Sequence, residues 1–441
     1  MKGSQVFHNA KWIILCKIAQ SVLQLVIGMI SAQYLGPSNY GLLHYAASIL
    51  AFFLPLMRLG LNATLVYELV ADPDHEGEIL GTSLAMNITS SILGIGGMTL
   101  VAYVLNPGEP TTVLLCALYG VSLLFSALEM IQYWFQYKLL SKYSSIAMLA
   151  AYAAVSAYKI WLLVSGKSVF WFAVSNSFEY GIIAVSLLFL YGRKETQRMS
   201  VSPARARAML GRSKHYIFAS LMVTVFQNTD QIMLKQIRGE TENGYYAAAL
   251  TAAVVAQFVF TAIEDSFRPM ILAKRKEGDV AAYENHVSRL YGWIGYLTLL
   301  QSVVFTVLAP VIISILFRDK YAASVPVLRI LTWYTAFSNM GAIRNIWLLA
   351  EEKQKHLPYI NLGGALLNVA ANAVMIPRWG ASGAALASLL AQFFANFVLS
   401  FLIAPIRRSN YLLLRGLRPR YLIRETRLML REMLPGRKTD E

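Results

Sequence analysis

YLGPSNYGLLHYAASIL, residues 34–50, is nearly repeated much later in the chain as QIRGETENGYYAAALTAA, residues 236–253. Both stretches pass from a small polar turn through a glycine into a Tyr-Ala-Ala run, and both lie between apolar segments. The two glycines, Gly41 and Gly244, are 203 positions apart. A match over this distance predicts that the chain consists of two similar halves.

The composition is that of a membrane protein. Of the 441 residues, 56% are hydrophobic and only 14% are charged, whereas roughly a quarter of the residues in a soluble domain are charged. The formal net charge of +15 would also suit a nucleic-acid-binding protein. However, the basic residues fall in loops and the tail, where they orient a membrane protein, and we expect no nucleic-acid partner.

No motif in the sequence indicates an enzyme or a bound cofactor. The two cysteines and six histidines do not have the spacing of a disulfide framework or a metal site. The sequence also contains no phosphate-binding loop and no nucleophile elbow. We therefore predict a protein that is not an enzyme and that holds no metal or cofactor, with H⁺ or Na⁺ as the only candidate coupling ions.

Polar positions repeat at the same shift as the glycines. They follow one another with spacings of four, three and four: Lys17, Ser21, Gln24 and Gly28 in one apolar stretch, and Ser220, Thr224, Gln227 and Gln231 in the other. Such spacings place each set on one face of a helix. A polar stripe does not face lipid comfortably, so we expect a partner helix or a watery cavity there. Coincidence is the alternative, but the paired stripes favour a repeat.

Twelve apolar stretches have about the 20 residues that a helix needs to cross a bilayer. They are residues 12–35, 42–66, 80–104, 112–135, 145–165, 169–191, 216–237, 246–268, 290–316, 325–349, 358–376 and 381–405. We predict an all-α integral membrane protein of two six-helix bundles, 1–191 and 215–405, with a basic linker at 192–214 and a basic tail at 406–441. Because each half has an even number of spans, the halves form a parallel repeat, as in many transporters.

The distribution of Lys and Arg predicts that both termini are cytoplasmic. With this orientation, 28 of the 39 basic residues fall in cytoplasmic segments, six in external loops and five within helices. Such an excess of basic residues on one side sets the orientation of membrane proteins. The acidic segment ELVADPDHEGE, residues 68–78, does not follow this pattern, but acidic residues carry little weight in the rule.

Four stretches together resemble a known family. They are YLGPSNYGLLHYAASI, NTDQIMLKQIRGETENGYYAAA, LFRDKYAASVPVLRILTW and NLGGALLNVAANAVMIPRWGASGAALASLLAQ. In order and spacing, over about residues 5–405, the chain resembles polysaccharide flippases of the Wzx type. These belong to the superfamily of multidrug, oligosaccharidyl-lipid and polysaccharide exporters.

This resemblance implies a MATE-like fold and a flippase in the bacterial inner membrane. Its substrate would be an undecaprenyl-pyrophosphate-linked oligosaccharide, moved from the cytoplasmic to the outer leaflet for O-antigen, capsule or exopolysaccharide synthesis. Membrane lipids are then partners, and polysaccharide polymerase or chain-length proteins are candidate assembly partners.

Such a substrate carries an anionic pyrophosphate, which cations along a polar path would hold. The candidate substrate-binding residues within the predicted helices are Lys17, Arg58, Lys159, Arg344, Gln24 and Gln227. The alternative for each cation is that its long side chain reaches the membrane surface. We expect this for Arg329, whereas both readings stay open for Lys159 and Arg344.

Carboxylates in the predicted helices are candidates for coupling or gating. They are Glu129, Glu179, Asp230, Glu264 and Asp265, and they can pair with the cations or exchange H⁺ or Na⁺. The repeat shift relates Arg58 to the region of Glu264 and Asp265, which suggests a gate. The alternatives are a fixed ion pair there, or that Glu264, Asp265 and Arg268 mark a helix end.

Three other functions compete with a flippase. A cation-coupled multidrug antiporter of the same superfamily would favour an acidic cavity, whereas the first two predicted spans carry Lys17 and Arg58. A membrane-bound sugar polymerase or ligase would need a large external loop, and all external loops here are short. A scaffold without transport has no use for charges inside the membrane.

The basic tail alternates Arg with Leu, Ile and Met. From Tyr421 to Leu434 this pattern predicts a basic amphipathic helix on the anionic inner leaflet. A docking role for assembly partners is the alternative.

Overall fold

The computed structural model describes residues 3–194, 197–421 and 423–425, with only the backbone for residues 3–15 and Lys17. The described residues are helical and contain no strand, which confirms the all-α class. The helices are α1 Gly3–Met57, α2 Leu61–Ala71, α3 Glu76–Leu105, α4 Pro110–Gly120, α5 Ser122–Leu128, α6 Ile131–Tyr137, α7 Ser141–Val164, α8 Val169–Gly192, α9 Pro203–Arg238, α10 Glu240–Ala253, α11 Gln257–Lys276, α12 Val280–Phe317, α13 Ser324–Ala350, α14 Leu357–Phe393, α15 Leu399–Leu402 and α16 Arg407–Gly416. A π-helix, Phe394–Val398, joins α14 to α15.

Among the residues that the structure describes, seven helical stretches are long and apolar enough to cross a membrane, or eight if α10 and α11 form one bent span. Two of the seven, Ile18–Ala71 and Gln354–Leu402, have 54 and 49 residues. At 1.5 Å per residue each exceeds 70 Å or so, more than twice the hydrocarbon thickness of about 30 Å. Each contains a non-helical glycine, Gly36 and Gly380 respectively, where one crossing can end and the next begin. The count of twelve spans and the sidedness of the termini stay predictions.

At least three spans that we predicted as continuous are interrupted in the structure, and one of them is 246–268, which is divided between α10 and α11. The predicted span 42–66 breaks between α1 and α2, where Leu59 and Gly60 have φ values of 50° and 68°. A Cβ on Gly60 would lie 2.5 Å from the carbonyl oxygen of Ser213 in α9. The predicted span 112–135 is divided into α4, α5 and α6. The apolar composition does not reveal these breaks because both flanks stay hydrophobic.

The chain forms two compact units. Unit 1 contains the described residues up to Ala248 together with Leu316–Ala322 and Asn372–Ala384. Unit 2 contains Ala249–Ile315, Ala323–Ala371 and the described residues from Ala385 on. The division predicted from sequence, into bundles with a linker and a tail, stays a prediction.

The core of unit 1 packs aromatic and leucine side chains from several helices. Trp134 and Phe135 of α6 are buried against Leu61, Leu65 and Leu69 of α2. The leucines recur at intervals of four, so they line one face of α2. A large share of the stability of a membrane bundle comes from such close packing, since lipid is as apolar as the side chains.

The segment that precedes α9 is fixed along the start of α3. The side-chain oxygen of Gln197 accepts a hydrogen bond from the backbone N–H of Gly77 at 3.1 Å. The backbone N–H of Ser202 donates to Thr82 Oγ1, also at 3.1 Å. A Cβ on Gly81 would overlap the carbonyl oxygen of Ser200, so the glycine permits this close approach. Part of the predicted linker is therefore packed, and α9 begins within it at Pro203.

The acidic stretch 68–78 forms ion pairs with two arginines of α9 and with Lys138. The ion pairs are Glu68–Arg212 at 2.8 Å, Asp72–Arg205 at 3.0 Å, Glu76–Lys138 at 2.6 Å and Glu78–Arg205 at 2.9 Å. A hydrogen bond to His75 and the guanidinium of Arg205 hold the pKa of Asp72 below its usual value. The acidic residues thus hold the packed segment, which explains their departure from the charge pattern.

The two repeated stretches contact each other within unit 1. The side-chain amide of Asn243 donates to the carbonyl oxygen of Gly41 at 2.8 Å. Ser38 Oγ donates to a carboxylate oxygen of Glu240 at 3.3 Å. A Cβ on Gly41 would overlap the carbonyl oxygen of Glu240, and one on Gly244 would overlap the carbonyl of Pro37. We call this contact between residues 37–41 and 240–244 the glycine seam.

Replacing Gly41 by Ala tests the seam. The added methyl group has no space, so the backbones must separate and we expect a lower melting temperature, by an amount equivalent to about 1–3 kcal/mol. Thermal unfolding in detergent measures this shift. Gly96→Ala is the matched control, because nothing lies within 4 Å of its Cβ position. Equal melting temperatures for the two variants would contradict the seam.

Candidate functional site

An ion pair joins the two interrupted helices of unit 1. Arg58, directly after the end of α1, places a guanidinium nitrogen 2.8 Å from a carboxylate oxygen of Glu129, between α5 and α6. The two side chains are 30% and 16% exposed. The phenols of Tyr133 and Tyr180 lie near both charges. Both members of the pair are site residues predicted from the sequence, although their pairing was not.

A second pair of opposite charges lies in the same unit. Lys159 of α7 and Glu179 of α8 interact electrostatically, and these two helices pack together. Glu179 also interacts electrostatically with Tyr152 of α7 and with Glu129. We call Arg58, Glu129, Lys159 and Glu179 the charge cluster. Arg58 can bind an anionic group only if its ion pair with Glu129 opens.

The predicted polar stripes lie on two helices that pack against each other, α1 and α9. Gln24 and Gln227 are exposed, whereas Gln231 is buried. The side chain of Lys17 lies outside the described part of the chain. Each stripe therefore has one exposed glutamine, and the role of each as a substrate ligand stays a prediction.

Sequence reasoning missed a buried lysine at the end of the α9 stripe. Lys235 was counted among the external loop residues, but its side chain is only 3% exposed. Its ammonium group lies 2.5 Å from Asn106 Oδ1 and from a carboxylate oxygen of Glu109, and 5.2 Å from the ring centre of Tyr45. The sequence does indicate this position, because Lys235 follows Gln231 by four residues and so continues the polar stripe of α9.

The carboxylate of Asp230 is buried and hydrogen-bonded within the helix packing. Its two carboxylate oxygens accept hydrogen bonds from Tyr246 at 2.9 Å and from the Asn372 amide at 2.6 Å. The residue is buried. Asp230 thus connects α9, α10 and α14 inside unit 1, and a coupling role would require these bonds to rearrange.

The two predicted gating carboxylates of α11 differ from each other. Glu264 is buried, and its Oε1 has no hydrogen-bond partner among the described residues. Asp265 is half exposed and pairs with Arg268 one turn along at 3.3 Å, and both residues lie in the middle of α11 rather than at its end. Arg58 forms its ion pair with Glu129, and the suggested gate with Glu264 and Asp265 stays a prediction.

Arg344 is buried among neutral groups of unit 2. Its guanidinium donates to the carbonyl oxygen of Ala395 at 3.2 Å, to Ser400 Oγ at 3.3 Å and to Asn345 Oδ1 at 3.3 Å. The π-helix that contains Ala395 leaves this carbonyl accessible, as such irregular turns often do. Arg344 is therefore held inside the protein, and its role as a substrate ligand stays a prediction. Arg329, by contrast, is exposed and donates to the carbonyl of Thr306 at 3.2 Å.

The family of the chain follows from a sequence comparison. A family model for polysaccharide biosynthesis proteins matches residues 6–272, more than half of the chain. The chain belongs to this family. The resemblance seen in the sequence motifs is thereby confirmed. No protein with a curated function matches the chain by sequence.

Comparison with solved structures shows the fold of this chain. The chain is similar to an inward-facing multidrug resistance MATE family transporter of the MOP superfamily, with a TM-score of 0.74, 13% identity and coverage of 89% of this chain and 95% of that one. It is similar to the lipid II flippase MurJ in an inward closed conformation, with a TM-score of 0.67, 15% identity and coverage of 96% and 94%. It is also similar to a MOP superfamily transporter from Pyrococcus furiosus. The TM-score is 0.62 and the identity 12%, with coverage of 92% of this chain and 96% of that one. The MATE-like fold is therefore confirmed.

A double-mutant cycle tests the ion pair between Arg58 and Glu129. Each single change, Arg58→Gln or Glu129→Gln, leaves a largely buried charge without its partner, and we expect a loss of about 1–3 kcal/mol in unfolding free energy. The double variant should lose less than the sum of the singles. Thermal unfolding in detergent measures all three.

The exposed pair Asp265 and Arg268 provides the matched control. The corresponding changes to Asn and Gln should each shift stability by no more than about 1 kcal/mol, because solvent screens such pairs. Strictly additive losses at Arg58 and Glu129 would contradict a direct interaction.

Proposed function

We propose that this protein flips undecaprenyl-pyrophosphate-linked oligosaccharide repeat units from the cytoplasmic to the outer leaflet of the bacterial inner membrane. The product would supply the synthesis of a cell-surface polysaccharide such as O-antigen, capsule or exopolysaccharide. The observation that carries this proposal is membership of the polysaccharide biosynthesis family together with the fold of MOP transporters. A transporter fold in a polysaccharide family supports movement of a lipid-linked glycan rather than catalysis.

The charges of unit 1 support an anionic substrate. Glu129 forms an ion pair with Arg58, and Glu179 interacts electrostatically with Lys159. A multidrug antiporter needs acidic groups that are available to a cationic drug. Similarity to a MATE transporter at 13% identity reflects the fold and does not favour that alternative.

The pair Arg58–Glu129 suggests how an ion would be coupled to transport. While the carboxylate is ionised, it holds the guanidinium at 2.8 Å. Uptake of a proton or Na⁺ by Glu129 would release Arg58, whose planar group can bind pyrophosphate through two hydrogen bonds. Loss of the ion would restore the pair and expel the substrate. Glu179 with Lys159 is a second candidate for this exchange.

The glycine seam and Lys235 supply the other part of alternating access. Residues from both predicted halves meet at Gly41 and Gly244, and again at Glu109 and Lys235. With the predicted orientation, both contacts lie toward the outer side of the membrane. We assign them to the closed outer gate, which must separate before the glycan is released outside.

A cell-based assay tests the function and the cations together. We expect lipid-linked oligosaccharide to accumulate with its glycan facing the cytoplasm in a deletion strain and in a strain with Lys17→Ala/Arg58→Ala at wild-type expression. The reason is that both lack the cations that hold the pyrophosphate. The measurement is the leaflet that exposes the glycan. Lys320→Ala/Arg378→Ala, which removes equal charge at exposed positions, should behave as wild type.

The other outcomes separate the alternatives. Accumulation in the deletion alone would keep the flippase and exclude the two cations. No accumulation in either strain, with greater sensitivity to cationic drugs, would replace the flippase by the antiporter.

A further inference from the structure

The described part of the tail is fixed to unit 2. α16 begins five residues after α15 ends at Leu402. On its buried face, Ser409 Oγ lies 2.7 Å from the Tyr291 hydroxyl, and the Asn410 amide donates to the carbonyl oxygen of Phe397 at 2.8 Å. A Cβ on Gly416 would overlap the carbonyl oxygen of Ser288, so the backbones of α16 and α12 meet closely.

The residues after α16 continue this attachment. Arg289 of α12 and Glu425 form an ion pair at 2.9 Å, with side chains only 10% and 6% exposed. Arg289 and Arg424 hold the pKa of the Glu425 carboxyl below its usual value against the effect of burial. Tyr421 donates to Asn285 Oδ1 at 3.3 Å. The tail as far as Glu425 therefore has a fixed orientation, and the predicted helix beyond it, residues 426–434, lies outside the described residues.

The opposite face of α16 is exposed and has an ordered pattern. Arg407, Tyr411 and Leu414 follow one another at spacings of four and three, and the exposed Arg418 lies two residues beyond the end of α16 at Gly416. Tyr411 and Leu414 are 51% and 41% exposed. This set, which we call the outer face of α16, places two apolar groups between two arginines. Arg407 uses only the Nε of its guanidinium within the protein, donating to the carbonyl oxygen of Phe401 at 2.8 Å. Arg408 nearby pairs with Glu284 at 2.6 Å.

We propose that the outer face of α16 binds the headgroups of anionic phospholipids. The candidate span Gln354–Leu402 ends five residues before Arg407, so the chain places α16 no more than about 17 Å from that membrane boundary. Tyrosine and leucine suit the boundary between hydrocarbon and headgroups, and the arginines suit the phosphates. With the predicted orientation this is the inner leaflet, where anionic lipids attract basic segments.

The mixture of residues favours lipid over an acidic protein partner. A protein surface that recognised Arg407 and Arg418 would have to bury Tyr411 and Leu414 beside them, on a helix that follows a membrane span almost directly. A lipid surface satisfies the apolar and the basic groups at once, because hydrocarbon and phosphate lie within a few ångströms of each other there.

Site-specific labelling tests this binding without relying on transport. The variant Leu414→Cys carries an environment-sensitive fluorophore, and Cys16 and Cys116 are buried and should stay unlabelled. The full-length protein is placed in nanodiscs that contain spin-labelled phosphatidylglycerol or spin-labelled phosphatidylcholine at equal mole fraction. We expect phosphatidylglycerol to quench the fluorophore more strongly, with a preference that declines as salt is added.

Charge variants identify the residues responsible. In the Leu414→Cys background, Arg407→Gln/Arg418→Gln should reduce the phosphatidylglycerol preference by up to about fivefold per arginine. Arg407→Lys/Arg418→Lys should retain most of it. The control Lys320→Gln/Arg378→Gln removes the same charge from exposed positions elsewhere and should leave the preference unchanged.

Two results would overturn the proposal. Equal quenching by both lipids in the otherwise wild-type protein would show that no headgroup preference exists. Quenching by neither lipid would show that the outer face of α16 is away from the membrane, which would favour a protein partner instead. Neither result depends on whether the protein flips a glycan.

Discussion

The close approach of two backbone segments at Gly41 and Gly244 is the contact on which the arrangement of unit 1 depends. Each glycine lies against a carbonyl group of the other segment, and Asn243 adds a hydrogen bond to Gly41. A side chain at either position would separate the segments. The first segment lies within α1, just after the non-helical Gly36, and the second lies at the start of α10. The near-repetition of the sequence is thus explained: both copies must present a glycine at one shared crossing.

Charges within the apolar helices impose the second constraint. A buried charge without a partner is costly, and removal of one partner from a buried pair costs more than the pair contributes. Arg58 with Glu129 and Lys235 with Glu109 each meet this requirement. Arg344 meets it differently, through neutral oxygens of a π-helix and neighbouring side chains. Such arrangements are stable while closed, and transport would require specific ones to open and reform.

Sequence reasoning predicted the class of fold and the repeat because both follow from periodic properties. Apolar length identifies a span, and the spacing of four, three and four places Gln24 and Gln227 on matching faces. It did not predict the breaks at Leu59 and Glu129, since those are set by packing between helices rather than by local composition. The pairing of Arg58 with Glu129 depends on both breaks and was therefore out of reach.

Charged residues in and near the predicted loops were also misjudged from the sequence, because their partners are distant in the chain. The acidic stretch at 68–78 looked like an exception to the charge pattern until the structure showed its pairs with Lys138, Arg205 and Arg212. Lys235 was assigned to a loop because it lies near the end of an apolar run, although its spacing continued the stripe. In both cases the partner residue is distant in the chain, and a single sequence does not contain that information.

The most direct measurement is flipping by a protein whose glycine seam is locked. Ser38→Cys/Glu240→Cys places two thiols where Ser38 Oγ and the Glu240 carboxylate lie 3.3 Å apart. A short bis-methanethiosulfonate links them through two disulfides, with methanesulfinate as the leaving group at each thiol. Proteoliposomes are loaded with undecaprenyl-pyrophosphate-linked oligosaccharide, and exposure of the glycan to an impermeant glycosidase is followed. We expect the uncrosslinked protein to flip, the crosslinked protein to stop and a reductant to restore flipping. Undiminished flipping by the fully crosslinked protein would contradict a seam that opens during transport, and no flipping by the uncrosslinked or wild-type protein would contradict the proposed substrate.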